Sequence, residues 1–178
     1  MLVGCGSLPS LVDLDIIGDD NGGEGVVSLA DGLRRGRLPS LRRLSLIHAQ
    51  IGPQGATALA PALTRRALPS LEHLDLGGNP LGDAGLAALL PALRRLPKLK
   101  DLDLGETNIG DEGVASLVAQ PTAGALKSLE QLGLDYNQIT DAGCATLASA
   151  LRGGALPALK TLYLHNNPAS QEARDVVQ

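Results

Sequence analysis

Leucine recurs along the chain in a motif of fixed spacing, LxxLxLxx(N). In the second half of this motif, leucines alternate with other, mostly polar residues. The motif returns every 28 or 30 residues, counted between the equivalent leucines Leu8, Leu38, Leu68, Leu96, Leu126 and Leu156. Six copies in register are far beyond chance. The pattern therefore predicts an array of small structural units.

Each unit combines two hydrophobic periods. The alternation of Leu74, Asp75 and Leu76 has a period of two, which predicts a short strand whose alternate side chains share one face. About ten residues later, between Leu86 and Leu93, leucines are spaced by three and four, which predicts a helix. Every unit is therefore predicted to consist of a strand, a turn and a helix.

The array is predicted to form one domain over residues 1–178. Its units are 8–37, 38–67, 68–95, 96–125, 126–155 and the partial unit 156–178. Neither end of the sequence shows the polar capping unit that covers the terminal core of a solenoid, which favours a section of a longer protein.

A turn signal separates strand from helix, and it reads LGDAG from position 81, IGDEG from 109 and ITDAG from 139. Its acids Asp83, Asp111 and Asp141 fall where a helix should begin. A carboxylate there accepts hydrogen bonds from free backbone amides and meets the positive end of the helix dipole. These acids are therefore predicted to cap their own helices.

These motifs together resemble the leucine-rich repeat proteins of the ribonuclease-inhibitor-like class, whose units carry LxxLxLxxNxIGDxGxxxLAxAL. The match covers essentially residues 8–178. The resemblance implies an α/β fold, a right-handed horseshoe with a parallel sheet on the concave face and helices on the convex face. Such units bury their leucines only against their neighbours, so the stack itself forms the core.

The composition disfavours some classes of binding partner and favours one cellular compartment. The net charge of −4 and the pI near 5.3 disfavour nucleic acids and anionic membrane surfaces as partners, because both bind proteins through stripes of basic residues.

The two cysteines, Cys5 and Cys144, lack the paired spacing of a disulfide framework or zinc site, and they favour a reducing, cytoplasmic location. Cys144 falls in the buried row of its helix and is predicted to be a small core residue. No apolar run approaches the ~20 residues of a membrane span.

The side chains between the inward leucines should line the concave face in rows. The first row is predicted to be Asp13, Arg43, His73, Asp101, Gln131 and Thr161. The second is predicted to be Asp15, Ser45, Asp75, Asp103, Gly133 and Tyr163. The third and the following loop position add Ile17, Ile47, Gly77, Gly105, Asp135 and His165, then His48, Glu106, Tyr136 and Asn166.

This face has an acidic centre, because Asp75, Asp101 and Asp103 should lie on neighbouring strands. Their mutual repulsion opposes folding slightly, so an acidic centre favours a basic protein partner. The only two tyrosines lie toward the other end of the face and are predicted contact anchors. The predicted partner-binding residues are Asp13, Asp15, Arg43, His73, Asp75, Asp101, Asp103, Glu106, Asp135, Tyr136, Tyr163 and His165.

The sequence predicts a binding module rather than an enzyme, with no cofactor and no metal. His48, His73 and His165 fall in different rows and units, and no serine or cysteine completes a hydrolytic site. The acid-rich run GDDNGGEG at 18–25 lacks the spaced ligands of a calcium loop and is predicted to be a degenerate loop.

The resemblance leaves two alternatives open. The proteins that activate the Ran GTPase are of the same class and use an arginine in an early strand-to-helix loop. The corresponding segment here, 18–23, contains no arginine, so no catalytic residue is assigned. Similar arrays also act as sensor or autoinhibitory regions of nucleotide-binding immune receptors and in actin-regulating proteins.

Overall fold

The computed structural model describes residues 8–18, 24–35, 38–64, 66–119 and 126–177. Strands and helices alternate along these residues, one pair in each repeat unit. The six strands are β1 Asp13–Ile17, β2 Arg43–Ile47, β3 His73–Asp75, β4 Asp101–Asp103, β5 Gln131–Gly133 and β6 Thr161–Tyr163. The helices are α1 Glu24–Arg34, α2 Pro53–Leu59, α3 Gly82–Leu93, α4 Asp111–Val118, α5 Asp141–Arg152 and α6 Gln171–Asp175, with a short 3₁₀ turn at Ala60–Ala62 after α2.

The strands form one parallel sheet in chain order, β1 to β6, and each strand pairs with the next without a register slip. Leu74, for example, lies beside Leu44 on one side and Leu102 on the other. This arrangement confirms the predicted α/β leucine-rich repeat solenoid. Among the described residues, a strand followed by a helix is present in all six repeats, as predicted.

The core is a continuous column of leucines between the sheet and the helices. The inward strand leucines Leu44, Leu74, Leu102 and Leu132 each keep 1% or less of their surface exposed. Helix residues such as Leu89 complete the same cluster. In the outer strands, Leu14 and Leu162 are only half-buried. A unit therefore buries its leucines fully where it has neighbours on both sides.

Asparagines at the end of the repeat motif join consecutive units. The side-chain oxygen of Asn137 accepts hydrogen bonds from the backbone amides of Thr107 and Ile109, at 3.1 and 2.9 Å. Its amide nitrogen donates to the Leu104 carbonyl at 2.7 Å. Asn79 and Asn167 make equivalent bonds to the preceding units. Each asparagine is buried and satisfies backbone groups that would otherwise lack partners.

Three units have another residue in place of this asparagine, and the first of these residues, Asp19, lies outside the described residues. Ala49 and Thr107 occupy the position and are both buried. The Thr107 hydroxyl donates to the Leu104 carbonyl of its own unit at 2.7 Å, so it serves the local turn. Where Ala49 or Thr107 replaces the asparagine, the unit therefore makes fewer side-chain hydrogen bonds to the unit before it.

The acids of the turn signal form a second junction between units, and their predicted role as caps of their own helices is wrong. Neither α3 nor α4 has a side-chain cap, and α5 is capped by Thr140, whose hydroxyl oxygen accepts from the Ala142 amide. The carboxylate of Asp111 instead accepts from the backbone amide of Thr140 in the next unit at 2.9 Å, and from its hydroxyl at 2.6 Å. Asp83 and Asp141 reach forward in the same way.

The glycine of the same signal makes room for this junction. A Cβ atom added at Gly113 would collide with the carboxylate of Asp83, and one at Gly143 would collide with that of Asp111. The DxG part of the turn signal therefore encodes both halves of a contact between units. The aspartate of one unit occupies the space that the glycine of the next leaves empty.

Cys144 is buried and unpaired within the described residues, as predicted for a small core residue. Burial raises the pKa of its thiol, and the charge of nearby Asp141 adds to the shift. Cys5 and residues 19–23 of the acid-rich run lie outside the described residues. In the described part of the chain, no helix has the length and apolar character needed to cross a bilayer.

Replacing Asp111 with alanine should lower the free energy of unfolding by about 1 to 2 kcal/mol, because the Thr140 amide and hydroxyl lose their acceptor. The control is Glu112→Ala, since Glu112 lies in the same first turn of α4 and its side chain is exposed. Urea denaturation of both variants measures the difference. Equal losses would mean that the helix dipole, rather than the junction, accounts for the effect.

Candidate functional site

The candidate site is the sheet face that points away from the helices, here called the open face. Because side chains alternate along each strand, the residues between the buried leucines reach it. The first row on this face is Asp13, Arg43, His73, Asp101, Gln131 and Thr161, in the register of the strand pairs. The second is Asp15, Ser45, Asp75, Asp103, Gly133 and Tyr163. Both rows are those predicted from the spacing of the leucines.

The predicted binding residues differ in how far they reach solvent. The exposed ones are Asp13, Asp15, Arg43, Asp103, Glu106, Tyr136, Tyr163 and His165. The half-buried ones are His73, Asp75, Asp101 and Asp135. Ser45 and Gly133 lie in the second row but are buried. The side chains of the open face therefore differ in solvent exposure, and the positions of Ser45 and Gly133 are covered by their neighbours.

Asp75 and Asp103 form the acidic centre, side by side on β3 and β4. Each carboxylate is held by a backbone amide two residues further along its own chain. Asp75 Oδ1 accepts from Gly77 at 2.9 Å, and Asp103 Oδ1 accepts from Gly105 at 2.8 Å. Burial raises the pKa of Asp75 and the charge of Asp103 raises it further, while the Gly77 amide opposes the shift. Both side chains are thus fixed in place, and for Asp75 burial works against the charged form.

Other acids of the face have partners on neighbouring strands. Asp101 lies 3.4 Å from Nδ1 of His73. Asp135 accepts from the His165 backbone amide at 2.6 Å, and Nδ1 of the same histidine lies 3.2 Å away. Arg43 lies 3.7 Å from Asp15. The structure thus places six of the predicted residues in three pairs around a centre of two acids.

The two tyrosines occupy the other end of the face. Tyr163 lies on β6 and is 41% exposed, and Tyr136 follows β5 and is 57% exposed. Large side chains so exposed on a sheet face are available for contact. Glu106 holds the position equivalent to Tyr136 in the preceding unit and is exposed as well.

A row of alternating charge lies beside the first row and was not predicted from the sequence. Glu72 pairs with Lys100 at 2.9 Å and lies 3.6 Å from Arg42, and Lys160 pairs with Glu130 at 2.6 Å. Lys100 holds the pKa of Glu72 below its usual range, and Lys160 does the same for Glu130. From β2 onward, the residue just before each strand changes sign from one unit to the next, so aligning the units predicts this order of charges.

The described residues contain no group of three or more His, Cys, Asp or Glu side chains placed to hold a metal ion. Cys144, the free thiol of the described chain, is buried in the core. The exposed acids and tyrosines instead offer charge and aromatic surface to a partner.

The comparisons with known proteins agree with this architecture. No curated protein matches the sequence. Among solved structures, the tropomodulin C-terminal domain of Caenorhabditis elegans is similar at a TM-score of 0.57 and 16% identity, covering 96% of this chain and 82% of that chain. Actin-binding site 2 of leiomodin-1 is similar at a TM-score of 0.47 and 16% identity, covering 95% of this chain and 78% of that chain. At 16% identity, the likeness to the tropomodulin domain concerns the fold alone.

A family model described as leucine-rich repeat matches four segments of the chain, and together they include more than half of it. The matched segments are residues 37–60, 67–90, 95–118 and 125–148. Each segment contains one strand, its turn and most of the following helix. The chain therefore belongs to the leucine-rich repeat family.

Proposed function

We propose that this protein is a non-catalytic interaction module that binds a basic protein partner through its open face. The observation that carries the proposal is the pair of carboxylates of Asp75 and Asp103, fixed side by side at the centre of that face. Stacked repeats commonly use such an extended face for binding.

The electrostatics of this pair favour a cationic partner. Adjacent strands lie about 4.8 Å apart, so the two carboxylates repel each other by about 0.5 to 1 kcal/mol even at the dielectric constant of water. The distance is well inside the Debye length of ~8 Å, so salt does not remove the repulsion. Burial raises the pKa of Asp75, which adds to the unfavourable energy of its charge. A lysine or arginine placed between the two acids would reverse the sign of the interaction.

The dimensions of the face suit a protein. Six strands about 4.8 Å apart extend over about 24 Å. A surface of this width accommodates an interface of the usual size, about 800 Å² on each partner. The exposed tyrosines supply the amphipathic contact area that binding hot spots favour.

A GTPase-activating role, as in the Ran regulators, is the catalytic alternative. The loops that connect each strand to its helix contain no arginine in any of the six units. An assay of GTP hydrolysis by the Ran GTPase distinguishes the two functions. We expect no stimulation, and acceleration by substoichiometric amounts of the chain would contradict the proposal. The sensor, autoinhibitory and actin-regulatory roles stay predictions, because they depend on neighbouring domains or on a named partner.

Replacing Asp75 with asparagine should raise the free energy of unfolding at pH 7 by about 0.5 to 1 kcal/mol. The amide oxygen still accepts from Gly77, while the unfavourable charge is removed. Because the folded pKa is raised, the gain should be largest above that pKa and should fade toward pH ~3.9, the ordinary carboxyl value. Urea denaturation at several pH values measures it, with Glu112→Gln as the exposed control. A loss of stability at pH 7 would contradict this account.

The double variant Asp75→Asn and Asp103→Asn should bind a lysine-rich peptide about tenfold more weakly than the parent protein, because both central charges are lost. Fluorescence anisotropy with a labelled peptide of alternating lysine and alanine measures the affinity. The control is Glu112→Gln with Glu172→Gln, which changes the net charge equally at two exposed helix positions. Equal weakening of both variants would show that net charge, rather than the open face, governs binding.

A further inference from the structure

Basic residues are concentrated along one edge of the array. The six strands are parallel and in chain order, so all of them begin at one edge of the sheet and end at the opposite edge. All but one of the 15 lysines and arginines fall between the last residue of a helix and the first residue of the next strand, and the exception is Arg174. The edge where the strands begin therefore collects the positive charge of the chain.

Part of this charge has no partner within the described residues. Five exposed cations, here called the basic edge, precede the strands β3 to β6 and form no ion pair in the described part of the chain. They are Arg66, Arg95, Lys98, Lys127 and Arg152. The nearby acids Asp31, Glu72 and Glu130 are paired with other cations. The basic edge thus offers positive charge on four successive connections.

The helix dipole accounts for only some of these cations. It favours positive charge within the last turn of a helix and falls off beyond it. Helix α3 ends at Leu93 and α4 at Val118, so Lys98 and Lys127 lie past the last turn of either helix. Their charge is available for contact with another molecule.

The opposite edge carries the complementary charge. The connections 48–52, 76–81, 104–110 and 134–140, which follow the strands β2 to β5, contain neither lysine nor arginine. Six carboxylates that follow β3 to β6, here called the acidic edge, are Asp83, Glu106, Asp111, Glu112, Asp141 and Glu172. Asp83, Asp111 and Asp141 accept hydrogen bonds from backbone amides and hydroxyls of the next unit. Within the described residues, no cation pairs with any of the six.

We propose that the basic edge of one copy of this chain docks against the acidic edge of a second copy, so that two arrays lie side by side. Both edges are built from the same units, so their charges recur at the same intervals along the array. The net charge of the chain is only −4, so two copies repel each other weakly at long range. This contact lies outside the open face and does not rest on its proposed function.

The contact joins two different surfaces, so two copies do not close it. Each assembly keeps one basic edge and one acidic edge unoccupied at its ends. Heterologous contacts of this kind grow into open assemblies unless a rotation closes them into a ring. The association should depend on salt, because the Debye length falls from about 30 Å in 0.01 M salt to about 3 Å in 1 M salt.

Analytical ultracentrifugation of the full chain at several protein concentrations, in about 0.01 M and about 1 M sodium chloride, tests the proposal. At low salt the mean mass should rise with protein concentration above the monomer mass of 18.3 kDa, and at high salt it should stay at that value. A chain that remains monomeric at low salt overturns the proposal. Association that high salt strengthens indicates an apolar contact and overturns it as well.

Two triple variants each remove charge from one edge. The variant of the basic edge carries Arg95→Gln, Lys98→Gln and Lys127→Gln. The variant of the acidic edge carries Glu106→Gln, Glu112→Gln and Glu172→Gln. Each should weaken self-association about tenfold, because three exposed ion pairs are lost. Mixing the two variants should restore most of the affinity, because each supplies the edge that the other lacks, and a mixture without recovery contradicts the pairing of the two edges.

Exposed alanines in the middle of the helices α3, α4 and α5 provide matched controls at Ala87, Ala115 and Ala145. Replacing all three with glutamate changes the net charge as the basic-edge variant does, and replacing them with lysine matches the acidic-edge variant. Both controls should associate within about twofold of the parent protein. Weakening equal to that of the edge variants would mean that net charge governs association. Circular dichroism confirms that each variant is folded.

A last variant separates this contact from the open face. Asp75→Asn with Asp103→Asn should lose affinity for the lysine-rich peptide but still self-associate at low salt. Loss of self-association in this variant would place the docked basic edge on the open face and overturn the contact between edges. Self-association without peptide binding by the parent protein would leave the contact standing and remove the proposed basic partner.

Discussion

No single unit of this array can bury its own leucines, and the rest of the structure depends on that constraint. A strand and a helix of this size form one thin layer, whose apolar side chains need a layer on each side. Leu74 and Leu102 are almost fully buried because both neighbours are present, whereas Leu14 in the outer strand is only half-buried. The stack in turn fixes the register of the strands, and this register decides which polar side chains meet on the open face.

The junctions between units are chemically uneven. Between the second and third units, Asn79 supplies a side-chain bond, but Pro53 replaces the forward-reaching acid. The third and fourth units have the bond of Asp83, but Thr107 replaces the asparagine. The last two junctions have both kinds of bond, through Asn137, Asp111, Asn167 and Asp141.

Much of the fold could be predicted from the sequence because the same requirement is repeated six times. The alternation around Leu74 and Leu76 identifies a strand, and the register follows once the units are aligned. The rows of the open face were therefore predictable. The role of Asp111 was not, because its position in the sequence fits a helix cap equally well. Only the superposition of one turn on the next shows that its acceptor atoms reach Thr140.

The depth of each position on the face could not be predicted either. Ser45 and Asp75 occupy the same row, yet one is buried and the other half-buried. Gly133 in that row is buried as well, because the Asp103 carboxylate, held by its bond to Gly105, occupies the space above it. The repeated leucines do not predict the solvent exposure of each position, because this exposure depends on side chains that differ from unit to unit.

The alternating charges before the strands bear on how the array can change in length during evolution. Arg42, Glu72, Lys100, Glu130 and Lys160 change sign at each step. Deleting the third unit would place Arg42 beside Lys100, whereas deleting the third and fourth together would place Arg42 beside Glu130. Duplicating one unit would likewise place two charges of the same sign side by side, whereas duplicating two neighbouring units would keep the signs alternating. Gains or losses of unit pairs preserve the favourable order of charges, so two units, rather than one, form the module by which such an array grows or shrinks without new repulsion.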